Sequence, residues 1–113
     1  MRLKKNWEFK RVYRYGRAVV SRNIVLYYFP NGMDQNRIGF SISKKVGKSV
    51  VRNKIKRIYK EAYYAMEEKL RVGYDIILIA RKPAVDVSFH EAGKELYNLC
   101  RKRNLLQSKN TKE

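Results

Sequence analysis

Apolar and polar positions change period several times along this chain, and each change marks an element. Phe9 and Tyr13 fall four apart and share a helix face between Trp7 and Tyr15; Asn6 can cap that helix and Gly16 can end it. Residues 18–29 turn to strand character. Ala18 to Val20 opens it, Arg22 or Asn23 marks a turn or bulge, and NIVLYYF sets Ile24, Leu26 and Tyr28 against Val25, Tyr27 and Phe29. PNGMDQN, residues 30–36, has turn composition and predicts a hairpin between the strands on either side. From Arg37 to Ser43 the alternation is strict. Ile38, Phe40 and Ile42 point one way and Gly39, Ser41 and Ser43 the other, a half-buried strand with a small, polar second face.

Gly47 breaks that pattern, and Ser49 is the N-cap expected for the helix that follows. Val51, Ile55, Ile58, Ala62 and Met66 form its core stripe; Glu67, Glu68 and Lys69 close it, and Gly73 stops it. Tyr74 to Ala80, YDIILIA, is a near-continuous apolar run of strand length. It predicts a strand covered on both faces, parallel to Arg37–Ser43 because a helix joins them. Arg81, Lys82 and Pro83 end it. Ser88 and Glu91 form a capping box, and Phe89, Ala92, Leu96 and Leu99 give a last amphipathic helix to about Arg103. Residues 1–5 read as a mobile basic arm and 104–113 as a frayed polar tail. The order α-β-β-β-α-β-α predicts one domain over residues 1–113, of α+β class, an α-β sandwich on a small central mixed sheet.

Charge then changes the picture. Lys plus Arg total 27 against 10 for Asp plus Glu, a net charge of +17. Between Glu8 and Glu61 the only acid is Asp34. Along the second helix Lys48, Arg52, Lys56 and Lys60 recur every fourth residue and stack into a column, flanked by Lys44, Lys45, Lys54 and Arg57. Like charges so placed repel by a few tenths of a kcal/mol per adjacent pair, about what an opposite pair gains. A polyanion compensates: Arg52 and Arg57 can fork onto phosphate oxygens, Lys48, Lys56 and Lys60 act as point charges, and the helix N-terminus adds N–H donors. A solvated basic face without a specific ligand is the competing reading.

The run SISKKVGKSVVRNKIKR resembles the signature of the bacterial ribonuclease P protein component, a Ser-x-Ser-Lys-Lys strand end followed by an Arg-Asn-x-x-Lys-Arg helix. Here these positions are Ser41, Ser43, Lys44 and Lys45, then Arg52, Asn53, Lys56 and Arg57. ARKPA, residues 80–84, is a second and shorter matching block. The resemblance runs from about Leu3 to Arg103. It implies a ribosomal protein S5 domain 2-like fold with a left-handed β-α-β crossover, against the general right-handed rule.

It also implies a division of labour. The RNA subunit of ribonuclease P is the catalyst and uses Mg²⁺; the protein binds that RNA and the 5′ leader of precursor tRNA. Carried over by position, Lys44, Lys45, Lys48, Arg52, Asn53, Lys56, Arg57 and Lys60 would hold the catalytic RNA. Phe9, Tyr13, Tyr27, Ser41 and Ser43 would form the leader cleft, with Gly39 adding closeness. The family often has Phe where this chain has Tyr13. Read from the residues alone, Phe9 and Tyr13 suit either base stacking or anchoring of the first helix to the sheet, and Tyr27 either the cleft or cross-strand packing.

The rest of the composition narrows the alternatives. No apolar run spans a bilayer, and MRLKKNWEFKRVYRYG lacks the apolar core of a secretory signal. One cysteine, Cys100, allows no internal disulfide and points to the cytosol as a small buried residue. His90 is the only histidine, so a histidine-based nuclease lacks a supported base, and one Cys with one His makes no dedicated Zn site. The acids are too scattered for a metal nuclease, and GKS at 47–49 lacks the upstream glycine of a phosphate-binding loop. The chain therefore reads as an RNA-binding module, needing neither a membrane nor a protein partner. The alternatives are a small basic ribosomal protein, a DNA-binding module using the second helix, and a stand-alone nuclease.

Overall fold

The computed structural model describes residues 1–107. The elements are α1 (Asn6–Tyr15), β1 (Arg17–Val20), β2 (Ile24–Pro30), β3 (Arg37–Ser41), α2 (Ser49–Met66), β4 (Tyr74–Ala80) and α3 (Phe89–Lys102), with short 3₁₀ turns at Lys44–Val46, Glu67–Lys69 and Lys82–Asp86. The element order is the one expected.

The sheet order is β1-β2-β4-β3, with β3 parallel to β4 and the other pairs antiparallel. The hairpin expected across residues 30–36 does not form, because β2 and β3 flank β4 instead of each other. β4 is apolar on both faces, so it gains most from the central place. Ile76 and Leu78 enter the larger core and Ile77 the smaller one. The hairpin partner of β2 is β1.

The larger core lies between the sheet and α2 and α3. Ile24, Leu26 and Ile38 meet Ile55, Ile58, Ala62, Leu96 and Leu99 there. Tyr59 and Tyr63, outside the expected stripe, are buried in it as well, and the Tyr59 hydroxyl donates to the Asn23 carbonyl at 2.7 Å. Burial of a large apolar side chain contributes roughly 1.5–3 kcal/mol. Six buried residues on α2 therefore outweigh the few tenths per pair that its cation column costs. Phe89 departs from the expected α3 stripe and is exposed; Cys100 joins Ala92, Leu96 and Leu99 on the buried side. The other sheet face carries α1, which with Leu3 and Ile77 buries Val12 completely.

Residues 1–3 and 105–107 are more tightly held than expected. Ile38 donates to the Met1 carbonyl and Leu3 to the Ile38 carbonyl, each at 2.9 Å, so the arm closes the outer edge of β3 and buries Leu3. At the other end Leu105 is buried, Arg71 donates to its carbonyl at 2.7 Å, and Gln107 donates to the Lys69 carbonyl at 2.8 Å. The remainder of the expected tail, 108–113, lies outside the described residues.

Three helix boundaries also differ from expectation. α1 begins at Asn6 with Lys5 as N-cap, and the Glu8 carboxylate accepts from the backbone N–H groups of Lys4 and Lys5 at 2.8 and 2.9 Å. Lys48, not Ser49, is the N-cap of α2. That helix ends at Met66, and Gly73, at φ +99°, serves the turn into β4. The capping box at α3 is formed as expected, with Glu91 donating to Ser88 Oγ at 3.1 Å and Ser88 donating to Glu91 Oε1 at 3.0 Å.

Candidate nucleic-acid interface

Strand register divides the α1-bearing face of the sheet into three rows. The first holds Arg37, Asp75 and Phe29, the second Gly39, Ile77, Tyr27 and Ala18, and the third Ser41, Ile79, Val25 and Val20. α1 covers the first two. Arg11 reaches Asp75, Tyr15 lies beside Phe29, and the Phe9 ring presses on Gly39. The third row keeps an open side, with Val20 at 52% exposure. Tyr13 stands at its lip, 38% exposed, with its ring set edge-on to Tyr27 at 5.0 Å and 84°. Partial burial raises the Tyr13 phenol above its ordinary value, opposed by the adjacent Ser41 hydroxyl.

Thus Phe9, Tyr13, Tyr27 and Ser41 converge. Phe9 does so as a wedge between α1 and β3, while Tyr13 stays part-exposed with its hydroxyl beside Ser41. Gly39 is occupied by Phe9 and does not offer the close approach expected of it. Ser43 stands apart from this group. β3 has ended by then, and Ser43 Oγ accepts from the Lys45 N–H at 3.0 Å, capping the 3₁₀ turn.

That turn carries the open row into the basic helix. Lys44 lies three residues beyond Ser41, and Lys44, Lys45, Lys48, Asn53 and Arg57 are all exposed. Arg52, Lys56 and Lys60 are half-buried along their stems. Arg52 Nε donates to the Gly47 carbonyl at 3.1 Å and so braces the loop against α2. The ion pairs among the described residues all involve Asp75 or Glu8 with Arg11 or Arg37. No cation from Lys44 to Lys60 has an acidic partner there.

The ion cluster itself escaped sequence reasoning. Asp75, with no exposed side-chain surface, accepts from Arg37 at 2.7 and 2.8 Å, Arg11 at 3.2 Å and Asn31 at 3.0 Å; Arg37 also holds Glu8 at 2.7 Å. Burial pushes the Asp75 carboxyl up, but Arg37, Asn31 and Arg11 outweigh it and hold it below the ordinary range. The signal was available: one acid inside an apolar central strand requires cationic partners. The cluster clamps α1 to β3 and β4 and so sets the position of Tyr13. His90 is exposed on α3, and the described residues contain no group of three His, Cys, Asp or Glu placed to hold a metal ion. What this surface offers a ligand is charge and aromatic faces.

A family model described as Ribonuclease P matches residues 1–104. The ribonuclease P protein component of Caldanaerobacter subterraneus subsp. tengcongensis is 45% identical over 108 residues, covering 96% of this chain and 93% of its own length. That of Alkaliphilus oremlandii is 42% identical over 107 residues, covering 95% and 94%. Among solved structures, the RNase P protein of Staphylococcus aureus superposes with a TM-score of 0.85 at 36% identity, covering 94% of this chain and 97% of that one. The protein from Thermotoga maritima gives 0.82 at 29% identity, covering 90% and 96%. Sequence and fold agree over nearly the whole length, and the chain belongs to the ribonuclease P protein component family.

Proposed function

We propose that this chain binds the RNA subunit of ribonuclease P through the face of α2 from Lys48 to Lys60 and the Lys44–Lys45 turn. The 5′ leader of precursor tRNA lies in the open third row beside Tyr13 and Tyr27. One observation carries the reading: the uncovered row, with aromatic groups at its lip, runs directly into a basic loop and helix that have no acidic partners among the described residues. Bases can stack on the rings while the cations meet phosphates.

In this reading hydrolysis of the precursor belongs to the RNA subunit, with Mg²⁺ held by that RNA, and the two carboxylates that meet among the described residues of this chain, Glu8 and Asp75, are engaged by Arg37. The protein contributes by binding. Leader contacts favour precursor over mature tRNA, which has lost the leader, and the cations screen repulsion between the two RNAs, lowering the Mg²⁺ required. No helix among the described residues is long and apolar enough to cross a membrane. A cytoplasmic location follows from the proposed task, because precursor tRNA is processed there in bacteria.

Reconstitution with a bacterial ribonuclease P RNA and a precursor tRNA labelled in its leader, at low Mg²⁺, tests this. Cleavage is expected only when protein and RNA are both present. Stimulation absent at every Mg²⁺ concentration sinks the reading and favours a ribosomal RNA ligand; cleavage by the protein alone reopens the search for catalytic groups.

A further inference from the structure

The leader reading uses one flank of α1, the side of Phe9 and Tyr13 that faces the open row. The opposite flank carries aromatic and cationic groups of its own. Trp7, Arg11 and Tyr15 recur every fourth residue and run down two helical turns as a stripe. Trp7 is 55% exposed and Tyr15 62%. The Arg11 guanidinium lies 5.3 Å from the Trp7 ring centre, and that of Arg14 lies 5.5 Å from the Tyr15 ring centre. Tyr15 in turn sits 6.4 Å from Phe29, and the two, with Arg17, Pro30 and Tyr74, line a pocket below the end of α1. Gly16 allows this junction: a Cβ there would stand 2.5 Å from the Val12 carbonyl oxygen and 2.7 Å from that of Tyr28.

Single exposed aromatics are ordinary on a protein surface. Here both rings carry an arginine, and the nearby acids, Glu8 and Asp75, are already engaged by Arg37 and Arg11. A guanidinium over a ring keeps N–H donors at its edge for phosphate, and a ring covered on one side offers the other to a base.

We infer that this flank is a second single-stranded RNA site, on which unpaired nucleotides of the RNA subunit stack on Trp7 and Tyr15 while Arg14 and Arg17 meet their phosphates. The inference rests on the proposed function and adds to it a surface separate from the α2 column. The occupant is the RNA subunit, because α1, about 10 Å across with its side chains, separates this flank from a leader in the open row. The pocket also lies at the sheet end marked by Phe29, whereas Ser41 and the basic loop lie at the other end, about 13 Å along β3.

Trp7 is the single tryptophan, so its emission reports on this flank alone. The intact chain is titrated with a bacterial ribonuclease P RNA and, separately, with a single-stranded leader oligonucleotide, binding being followed independently by filter retention and by anisotropy of the labelled oligonucleotide. Emission is expected to change in step with binding of the RNA subunit and to stay constant as the leader binds. Tyr15→Ala should weaken binding of the RNA subunit about tenfold, and Tyr15→Phe should restore it, both folding as the parent by circular dichroism. Full-affinity binding of the RNA subunit with constant Trp7 emission overturns the inference, as does parental affinity in Tyr15→Ala. A leader that moves Trp7 emission overturns the assigned occupant. Failure of the RNA subunit to bind at all removes the functional reading as well, and is told apart by the filter assay.

Discussion

The Phe9 ring and Gly39 are in direct contact across the α1–β3 boundary: a Cβ built on Gly39 would lie 2.6 Å from Phe9 Cε2 and 2.7 Å from Cζ. The contact makes Phe9 an anchor of α1 on β3, and Tyr13, one turn on, is the more exposed member of the pair. Both positions share a helix face, but they are exposed to different degrees.

Gly39→Ala forces that ring aside, with Leu3 Cδ1 a further 3.2 Å neighbour. A loss of about 1–3 kcal/mol is expected from overpacking, read as a lower urea midpoint with unchanged slope. An unaltered midpoint would show that α1 shifts freely and that the anchor is weak.

Tyr13→Ala removes the edge contact with Tyr27, at about 0.5–1.5 kcal/mol of stability, and should weaken precursor binding by about 1–3 kcal/mol per lost stack, with mature tRNA unaffected. Equal losses for both ligands would remove Tyr13 from the leader site.

Lys56→Gln separates charge from packing on α2. The salt dependence of RNA affinity should fall by about one unit of slope, while the free protein becomes no less stable, since a like-charge neighbour has been removed from the column. Salt titration of RNA binding and thermal melting of the free chain give the two numbers. A variant with the parental slope would place Lys56 off the phosphate track.

Acid should undo the α1 clamp. Asp75 and Glu8 titrate below their ordinary values of 3.8 and 4.5, Asp75 because its arginine and asparagine partners outweigh burial, Glu8 chiefly through the Lys5 and Lys4 N–H groups. The unfolded chain therefore takes up protons first as pH falls. The stability these groups contribute is complete above about pH 5 and is lost progressively below about pH 4. Melts from pH 6 to pH 2.5 should show this decline, and Asp75→Asn should flatten it in part after an initial cost of about 1.5–3 kcal/mol for weakened charge-assisted hydrogen bonds, since Arg37 keeps Glu8 and Arg11 is part-exposed. An acid limb unchanged in that variant would place the decline elsewhere.

Burial pushes the Cys100 thiol up to about 12. Reaction with a thiol reagent at pH 8 should therefore follow unfolding, slow in the native chain and rapid in denaturant. Fast native modification would contradict its packing against α2 and the sheet.

What the sequence by itself determined is whatever depends on near neighbours. Period two at Ile38, Phe40 and Ile42, the helical spacing of Ile55, Ile58, Ala62 and Met66, and the cation column along the flank of α2 beside that stripe all follow from side-chain direction along one element. So does the grouping of Tyr13 with Phe9, and the family signature adds identities at set offsets. Only the tertiary structure decided which elements meet. Turn composition at 30–36 pointed to a β2–β3 hairpin, but β4 took the place between them because a strand apolar on both faces loses most at an edge. Asp75 sits inside a run that is otherwise apolar, and only the fold brings it Arg11 from α1 and Arg37 from β3. The N-terminal arm read as mobile until the free edge of β3 offered hydrogen bonds to it. Each of these outcomes is a competition for burial or for a bonding partner among residues distant in the chain. Local period carries no record of which competitor wins.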